Sequence, residues 1–286
     1  MQVIKQVCSL LTPELGHAVE KHPQAEELRL RLGQCPTAVL CGREIPVSEQ
    51  RVDRADLQRI LEAATRASFH AASSLRSGFI RCHSLRIGVC GETAQSGDEQ
   101  LGLRNISSLA IRIPHETDEA ARTFAADLLR DGVRNTLIAA PPGAGKTSLL
   151  RALIRQASDA GHRVGVIDER GEIWAADMQG QGFELGRCSD VVTGLGKLPA
   201  AMQLLRCMNP EIIAMDEITQ PEDMQAVKEI RGCGVLLFAT LHAADREDML
   251  QRPLGKALLE ENVFDRLICI RLQNGKRTYA LENAEA

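Results

Sequence analysis

The sequence contains few aromatic residues and no excess of basic ones. Aromatic side chains make up 3% of the 286 residues, with one tryptophan and one tyrosine. Proteins that bind single-stranded nucleic acid commonly stack the bases on aromatic rings, so this scarcity argues against such a platform. The formal net charge is −4 and the pI is about 6.0, which gives a polyanion no overall attraction. The composition therefore predicts no nucleic-acid partner.

The nine cysteines show no pattern typical of disulfides or zinc sites. Their number is odd, none forms a C-x-x-C pair, and most lie in apolar stretches such as residues 267–270. We interpret them as reduced core thiols of a cytoplasmic protein. The N-terminal residues are too weakly apolar for a signal peptide. No run reaches the about 18 apolar residues that a span requires, so we expect no direct membrane span.

The length and the 44% hydrophobic content are typical of a soluble chain with two domains. Residues 1–114 mix short strands with helical patterns and predict a small α+β domain. The elements expected there are a strand at 27–32, hairpins at 37–47 and 79–90, a helix at 53–67 capped by Asp53, a polar loop at 91–102 and a strand at 109–113.

Residues 115–286 alternate helices with buried strands. A helix capped by Thr117 or Asp118 is expected to run through Leu129 and to end at Gly132. Near-continuous apolar strands separated by helices indicate an α/β domain, with a mainly parallel sheet covered on both faces. The expected strands are 136–140, 164–168, 212–216, 235–240 and 267–272.

The loop after the first of these strands has the pattern of a nucleotide P-loop. It is followed by a helix whose apolar residues recur at helical spacing, and its residues are Ala140, Pro141, Pro142, Gly143, Ala144, Gly145, Lys146, Thr147 and Ser148. Backbone N–H groups in such a setting converge on polyphosphate oxygens. We expect Lys146 to bind the β- and γ-phosphates of ATP and the Thr147 hydroxyl to bind Mg²⁺. Ala140 replaces the first glycine of the consensus, which is acceptable if its φ stays negative.

The strand at residues 212–215 leads into Asp216 and Glu217. Asp216 follows Lys146 by 70 residues (216 − 146), so we expect a Walker B strand beside the P-loop strand. Asp216 is expected to hold Mg²⁺, directly or through water, and Glu217 to polarise the attacking water.

Two further predicted strands end in polar residues. The second strand leads to Asp168, Glu169 and Glu172, and the fourth leads to Thr240 and His242. Because ligands gather at the carboxyl ends of parallel strands, we expect a second water-orienting carboxylate among the three acids. Thr240 and His242 are expected to sense the phosphate charge. The alternatives are an exposed loop of mixed charge and a histidine without a role in catalysis.

The order of these motifs resembles that of the secretion-type ATPases of type II and type IV machines. Their Walker A motif, acidic box, Walker B motif and histidine box match the P-loop, residues 168–172, Asp216-Glu217 and residues 239–243. The resemblance implies a RecA-like P-loop ATPase domain, preceded by a smaller α+β domain.

A narrower resemblance extends over nearly the whole chain. Residues 141–147, 167–173 and 264–266 resemble those of the stage III sporulation protein AA family of endospore-forming bacteria. This family implies a cytoplasmic ATPase of the mother cell, forming a ring that we expect to be hexameric. The ring would lie at the base of a channel between mother cell and forespore, with membrane components of that complex as partners.

The resemblance leaves two assignments open. The acid that activates water is Glu217 by the Walker pattern, and Asp168 or Glu169 by analogy with the acidic box. Ring ATPases also place arginines of one subunit on the γ-phosphate of the next. Arg86 and Arg104 match such positions in the front domain, the alternative being solvated arginines at strand edges. Weaker candidates are Arg187, Arg206 and Arg231.

Two other functions remain as alternatives to a motor. One is an ATPase that depends on single-stranded nucleic acid, for which residues 66–70 read R-x-x-x-H, a short pattern expected by chance. The other is a nucleotide-gated scaffold with little turnover.

Overall fold

The computed structural model describes residues 2–40, 42–66, 78–82, 84–96, 99–115, 117, 119–176, 180, 182–273 and 276–284. Its internal contacts divide the chain into two compact units. The first contains Met1–His115 together with Ala175–Gly182, and the second contains Glu116–Trp174 and Phe183–Ala286. In the described part of the chain, no helix combines the length and the hydropathy that crossing a membrane requires.

The first unit is an antiparallel sheet with helices. Its strands lie in the order β3-β2-β1-β6-β5-β4. They are β1 (Glu27–Arg31), β2 (Thr37–Leu40), β3 (Arg43–Pro46), β4 (Phe79–Cys82), β5 (Leu85–Ser96) and β6 (Glu99–Arg112). The helices are α1 (Gln2–Leu10), α2 (Pro13–Glu20) and α3 (Arg54–Arg66). Asp53 precedes α3, and its Oδ1 accepts a hydrogen bond from the backbone N–H of Asp56 at 2.8 Å, as expected of an N-cap.

The prediction of a polar loop at residues 91–102 is wrong, because the residues that the structure describes in this range belong to strands. β5 continues to Ser96 and β6 begins at Glu99, and their pairing brings Glu92 opposite Arg104. Polar residues occur at both odd and even positions beyond Cys90, so no hydrophobic alternation indicates a strand there. Cross-strand backbone hydrogen bonds are sufficient to extend such a ribbon.

The second unit contains a sheet in the order β13-β12-β7-β11-β10-β8-β9. All neighbouring strands are parallel except the last hairpin, in which β12 and β13 are antiparallel. The strands are β7 (Thr136–Ala139), β8 (Val164–Asp168), β9 (Ser189–Thr193), β10 (Ile212–Met215), β11 (Leu236–Leu241), β12 (Arg266–Gln273) and β13 (Lys276–Asn283). The helices are α4 (Glu119–Arg130), α5 (Lys146–Asp159), α6 (Lys197–Cys207), α7 (Asp223–Gly232), α8 (Arg246–Gln251) and α9 (Pro253–Glu260).

This sheet is buried on both faces, which explains its continuous apolar strands. Along β7, Leu137 and Ala139 belong to one hydrophobic cluster and Ile138 belongs to the other. Side chains of a strand alternate between faces, so a strand covered on both sides needs apolar residues at every position.

The expectation that the Walker B strand lies beside the P-loop strand is wrong. β11 separates them, because it pairs with β7 on one side and with β10 on the other. Distance along the sequence does not determine sheet order, since a crossover helix can carry the chain past a neighbouring strand. The carboxyl end of β11 therefore lies between the P-loop and Asp216.

Candidate active site

The loop between β7 and α5 depends on two glycines in the left-handed region. Gly143 has a φ of 74° and Gly145 a φ of 102°, values that residues with a Cβ rarely adopt. Ala140 is fully buried at the end of β7 and is not among the residues with positive φ. Alanine is therefore compatible with this position, as the sequence led us to expect.

The other loop residues differ in exposure. Ala144 is buried, whereas Pro141 and Pro142 are exposed. The backbone carbonyl of Ser148, in the first turn of α5, accepts a hydrogen bond from the Thr117 hydroxyl at 3.2 Å. The first turn of α5 is thereby held to the segment that precedes α4.

Lys146 is buried at the start of α5, with 7% of its surface exposed. Its Nζ donates to two carbonyl oxygens of the loop, at 3.0 and 3.2 Å, and lies 2.8 Å from Nδ1 of His242. Burial lowers the pKa of Lys146 to about 8, although Asp216 and Glu217 act to raise it. A bound anion would offset this loss of solvation, so the position fits a phosphate group.

Asp216 follows β10 and lies between two threonine hydroxyls. Its Oδ2 accepts from Thr147 at 3.0 Å, and its Oδ1 accepts from Thr240 at 2.7 Å. Desolvation raises the pKa of Asp216, and the two hydroxyl donors oppose that effect. The structure therefore brings together the two residues that the sequence predicted as Mg²⁺ ligands.

This pair of oxygen ligands is compatible with Mg²⁺. No group of three or more His, Cys, Asp or Glu side chains within the described ranges is arranged to hold a metal ion. Mg²⁺ does not require one, because it keeps several water molecules and binds through one or two protein oxygens together with substrate phosphates.

Glu217 has a strained backbone and a fully engaged carboxylate. Its φ is 37°, and its N–H donates to Asp216 at 3.1 Å and to Thr240 at 2.9 Å. Oε1 lies 2.8 Å from Nε2 of His242, and Oε2 accepts from Arg170 at 2.7 Å. A non-glycine residue in this region costs about 1–3 kcal/mol, and such residues cluster at functional sites.

His242 joins Lys146 to Glu217. A neutral ring that carries its proton on Nε2 satisfies both contacts, because Nδ1 then accepts from the ammonium while Nε2 donates to the carboxylate. The end of β11 thus connects the predicted phosphate-binding cation to the predicted catalytic acid. The sequence pattern predicts His242 at this edge of the sheet, whereas it indicates no role for Arg170.

Asp168 is buried at the end of β8, and its hydrogen bonds go to the backbone. Oδ1 accepts from the N–H groups of Glu172 and Ile173 at 2.7 and 3.1 Å, and Oδ2 accepts from that of Trp174 at 2.9 Å. These bonds hold the turn that follows β8. A role for Asp168 in orienting water stays a prediction.

Glu169 forms an ion pair with a residue of α6. It pairs at 3.0 Å with the buried Lys197 of α6, which also lies 3.3 Å from Asp223. Asp223 in turn accepts from the N–H groups of Thr219 and Gln220. This chain of contacts links the turn after β8 to the loop after β10.

Arg151 is a buried cation of α5 that belongs to none of the predicted motifs. Its guanidinium lies 4.1 Å from the ring centroid of Phe183. Burial lowers the pKa of Arg151 to about 10, against the raising effect of Asp216, Asp168 and Glu172, named in order of influence. The sequence signal was an arginine inside the apolar run at residues 149–154.

The arginines proposed to act across a subunit interface lie on the first unit's hairpin. Arg86 is on β5, with its guanidinium 4.3 Å from the ring centroid of Phe79. Arg104 is on β6, opposite Glu92. Their action on a neighbouring subunit stays a prediction.

The weaker arginine candidates belong to the second unit. Arg187 donates to the Asp159 carbonyl and Arg231 to that of Glu261, whereas Arg206 is exposed on α6. Of the R-x-x-x-H pattern, Arg66 ends α3 and residues 67–70 lie outside the described residues.

Comparison with known proteins gave a family match and a fold match. The model of the family described as sporulation stage III, protein AA, matches residues 2–280. Stage III sporulation protein AA of Bacillus subtilis is 28% identical, over 96% of this chain and 93% of its own.

Two solved structures resemble the chain over most of its length. The ATPase DotB of Legionella pneumophila has a TM-score of 0.58 at 16% identity, with 93% of this chain and 78% of DotB covered. The pilus retraction motor PilT, solved with bound ADP, has a TM-score of 0.59 at 16% identity, with coverage of 94% and 81%. These similarities show a RecA-like fold, with a parallel-containing sheet in one unit and an antiparallel sheet in the other.

Proposed function

The chain belongs to the sporulation stage III protein AA family, and we propose that it hydrolyses ATP as a motor of the secretion-ATPase type. The observation that carries this proposal is the convergence of four side chains at one edge of the sheet: Lys146, Thr147, Asp216 and Glu217. They come from two elements that are 70 residues apart in sequence, and they supply the charges that phosphoryl transfer requires.

The P-loop binds the phosphate chain in this proposal. Backbone N–H groups around Gly143 and Gly145 donate to phosphate oxygens, and the Lys146 ammonium exchanges its carbonyl partners for the phosphates. Thr147 and Asp216 hold Mg²⁺, which neutralises charge on the phosphates when it is bound.

Glu217 is the proposed base for the attacking water. Its backbone N–H donates to Asp216, and its carboxylate is held by His242 and Arg170, two partners that can be exchanged for water and substrate. Asp168 has three backbone donors, and Glu169 pairs with Lys197 of α6. We assign these two acids to positioning the turn after β8.

His242 is the proposed sensor of the γ-phosphate. Lys146 hydrogen-bonds to His242 in this structure, and a γ-phosphate competes for the same ammonium. When Lys146 turns to the phosphate, His242 loses its donor and its contact with Glu217 changes. The presence of nucleotide is thereby linked to the orientation of the base.

The biological setting is proposed from the family. The chain would act in the cytoplasm of the mother cell, peripheral to a sporulation channel that joins mother cell and forespore. Its partners would be membrane components of that complex and further copies of itself in a hexameric ring. Arg86 and Arg104 would then contact the γ-phosphate bound by the neighbouring subunit.

The experiment that tests the enzymatic proposal compares two lysine variants of the full chain. Lys146→Ala should abolish Mg²⁺-dependent ATP hydrolysis, because the ammonium that faces the phosphates is lost. Lys256→Ala removes an exposed lysine of α9 and should retain the parent rate. ATP hydrolysis is followed by phosphate release, and nucleotide binding by calorimetry.

The outcomes separate the motor from its alternatives. Equal activity of Lys146→Ala and Lys256→Ala would contradict the P-loop assignment. A parent chain that binds ATP without hydrolysing it, with and without assembly into a ring, would favour the nucleotide-gated scaffold. Strong stimulation by single-stranded DNA or RNA would favour the nucleic-acid-dependent ATPase.

A further inference from the structure

We propose that Arg277, on the last strand, is a positioning residue that orients the Gly145 backbone amide toward the phosphates. This inference rests on the proposed function, because it concerns the same nucleotide site. Arg277 follows Gly145 by 132 residues (277 − 145) and belongs to none of the predicted motifs. The structure nevertheless places its guanidinium against the P-loop.

Two contacts define how Arg277 meets the loop. Its Nε donates to the carbonyl oxygen of Ala144 at 3.0 Å. A Cβ built on Gly145 would lie 2.7 Å from the same Nε and 3.3 Å from Cζ, so the guanidinium packs directly against the glycine. Arg277 therefore touches both residues of the Ala144–Gly145 peptide.

Because that peptide is planar, the contact with the Ala144 carbonyl also fixes the orientation of the Gly145 N–H. The Ala144 carbonyl and the Gly145 N–H belong to one trans peptide unit, in which the C=O and N–H bonds point in opposite directions. When Arg277 holds the carbonyl on one side, the N–H is turned to the other side. Gly145 is the N-cap of α5, so its N–H is one of the donors that a helix N-terminus offers to an anion.

The sheet carries Arg277 to this place. β12 pairs with β7 as far as Cys269 opposite Ala139, where β7 ends and the P-loop follows. β12 then continues to Gln273, and Leu272 pairs with Arg277 on β13. The hairpin thus extends beyond the end of β7, alongside the loop.

The same hairpin is anchored to α4. The Tyr279 ring, two residues after Arg277 on the same face of β13, stacks on Phe124 with ring centroids 4.7 Å apart. The buried Arg266 of β12 donates to the carbonyl of Leu128 in the last turn of α4, at 2.9 Å, and to that of Gly132, just after the helix, at 3.3 Å. These contacts hold the hairpin from which Arg277 reaches the loop.

The test measures ADP and ATP binding to the full chain with Arg277→Gln. Both affinities should fall by the same factor, about tenfold, because the Gly145 amide serves a part of the phosphate chain that both nucleotides share. The kcat at saturating ATP should stay within about twofold, since groups that act only in the transition state are untouched. Arg277→Lys keeps a donor for the Ala144 carbonyl and should recover part of the affinity.

Arg271→Gln is the matched control, because it removes an exposed arginine of the same hairpin. It should leave binding unchanged. In protein labelled with ¹⁵N-glycine, the Gly145 amide resonance should shift on ADP addition in the parent and shift less in Arg277→Gln. A residue that only stabilised the hairpin would lower the Tm without changing that resonance.

Three results would overturn the inference. They are unchanged affinity for both nucleotides in Arg277→Gln, a loss for ATP with none for ADP, and an equal loss in Arg271→Gln. If Arg277→Gln does not fold, the ADP and ATP affinities of Arg277→Lys are measured in its place, and the same three results would overturn the inference. A parent chain that binds neither nucleotide defeats the proposed function itself, which distinguishes the two failures.

Discussion

Two strands of the second unit end in the same dipeptide, yet their acids meet different surroundings. β8 runs into Asp168-Glu169 and β10 into Asp216-Glu217. Asp168 is bound by three backbone N–H groups that stay in place as long as the turn is folded. Asp216 is bound mainly by threonine hydroxyls, which can rotate toward a new ligand. The comparison indicates that the partners of a carboxylate, more than its place at a strand end, separate a structural role from a catalytic one.

The glutamates that follow differ in the same way. Glu169 pairs with Lys197, which is itself fixed between two acids. Glu217 lies at a positive φ and pairs with His242 and Arg170. Strain is thus concentrated at the position that we assign to catalysis, and it is absent from the one that we assign to structure.

The largest expected difference concerns catalysis. Glu217→Gln should lower kcat by about 10²–10³-fold, because a proton acceptor for water is lost. Glu169→Gln should stay within about threefold of the parent, since it keeps the shape of a side chain that we assign to positioning the turn after β8. Steady-state hydrolysis measures both, and ADP titration verifies that each variant still binds nucleotide. A larger loss in Glu169→Gln would reverse the assignment.

The next difference concerns stability. Asp168→Asn should lower the unfolding free energy by roughly 2 kcal/mol, because an amide cannot accept from all three N–H groups. This corresponds to a fall in Tm of about 5 °C. Asp216→Asn should leave Tm unchanged or raise it, since desolvation disfavours the Asp216 charge and an amide can bond both hydroxyls.

The Mg²⁺ dependence of ATP binding should be affected by the other aspartate, Asp216, and not by the one that affects stability. Asp216→Asn should lose the Mg²⁺ dependence of ATP binding, whereas Asp168→Asn should keep it. Thermal melts without ligand, followed by ATP titrations with and without Mg²⁺, test the pair. A lower Tm in Asp216→Asn would contradict the distinction between the two aspartates. ATP binding that no longer depends on Mg²⁺ in Asp168→Asn would also contradict it.

The smallest expected difference concerns pH. Burial lowers the pKa of Lys146 from its ordinary 10.5 to about 8 in the folded chain, so stability should rise with pH between these values, where the unfolded chain binds more protons. ADP affinity measured without Mg²⁺ should fall as pH rises through 8, by about tenfold over two units, because the ammonium loses its proton.

Aspartate variants extend this titration to the two strand ends. Asp216 raises the pKa of Lys146, and Asp168 is not among the groups that shift it. Asp216→Asn should therefore move the fall in affinity to lower pH, while Asp168→Asn should leave it in place. If the pH at which ADP affinity falls shifted equally in both variants, the charges at the two strand ends would have the same effect on Lys146.

The sequence predicted the elements whose local pattern is strong. The strand at residues 164–168, the cap at Asp53 and the strand-loop-helix of the P-loop match the structure. Each depends on residues close in sequence: an apolar run, a carboxylate before a helix, or glycines at positions of positive φ. Local physical chemistry is sufficient in these cases.

The missed features depend on distant contacts or on weak patterns. β9 is a half-exposed strand at the sheet edge, and its sequence shows no regular alternation of apolar and polar residues. The position of β11 between β7 and β10 depends on how the strands pack in the sheet. The antiparallel β13 was missed although Asn274-Gly275 is a typical hairpin pair. Arg170 and Arg277 are ordinary arginines in sequence, and only the fold shows what they contact.

The strand between β7 and β10 also sets a dimension of the site. Adjacent strands are about 4.8 Å apart, so the ends of β7 and β10 are separated by roughly 10 Å of hydrogen-bonded backbone. That width is a property of peptide geometry, which no side-chain substitution alters. Evolution or engineering at this edge can therefore change which side chains meet there, whereas the order of the strands keeps the carboxyl end of β11 between the P-loop strand and the strand that leads to Asp216.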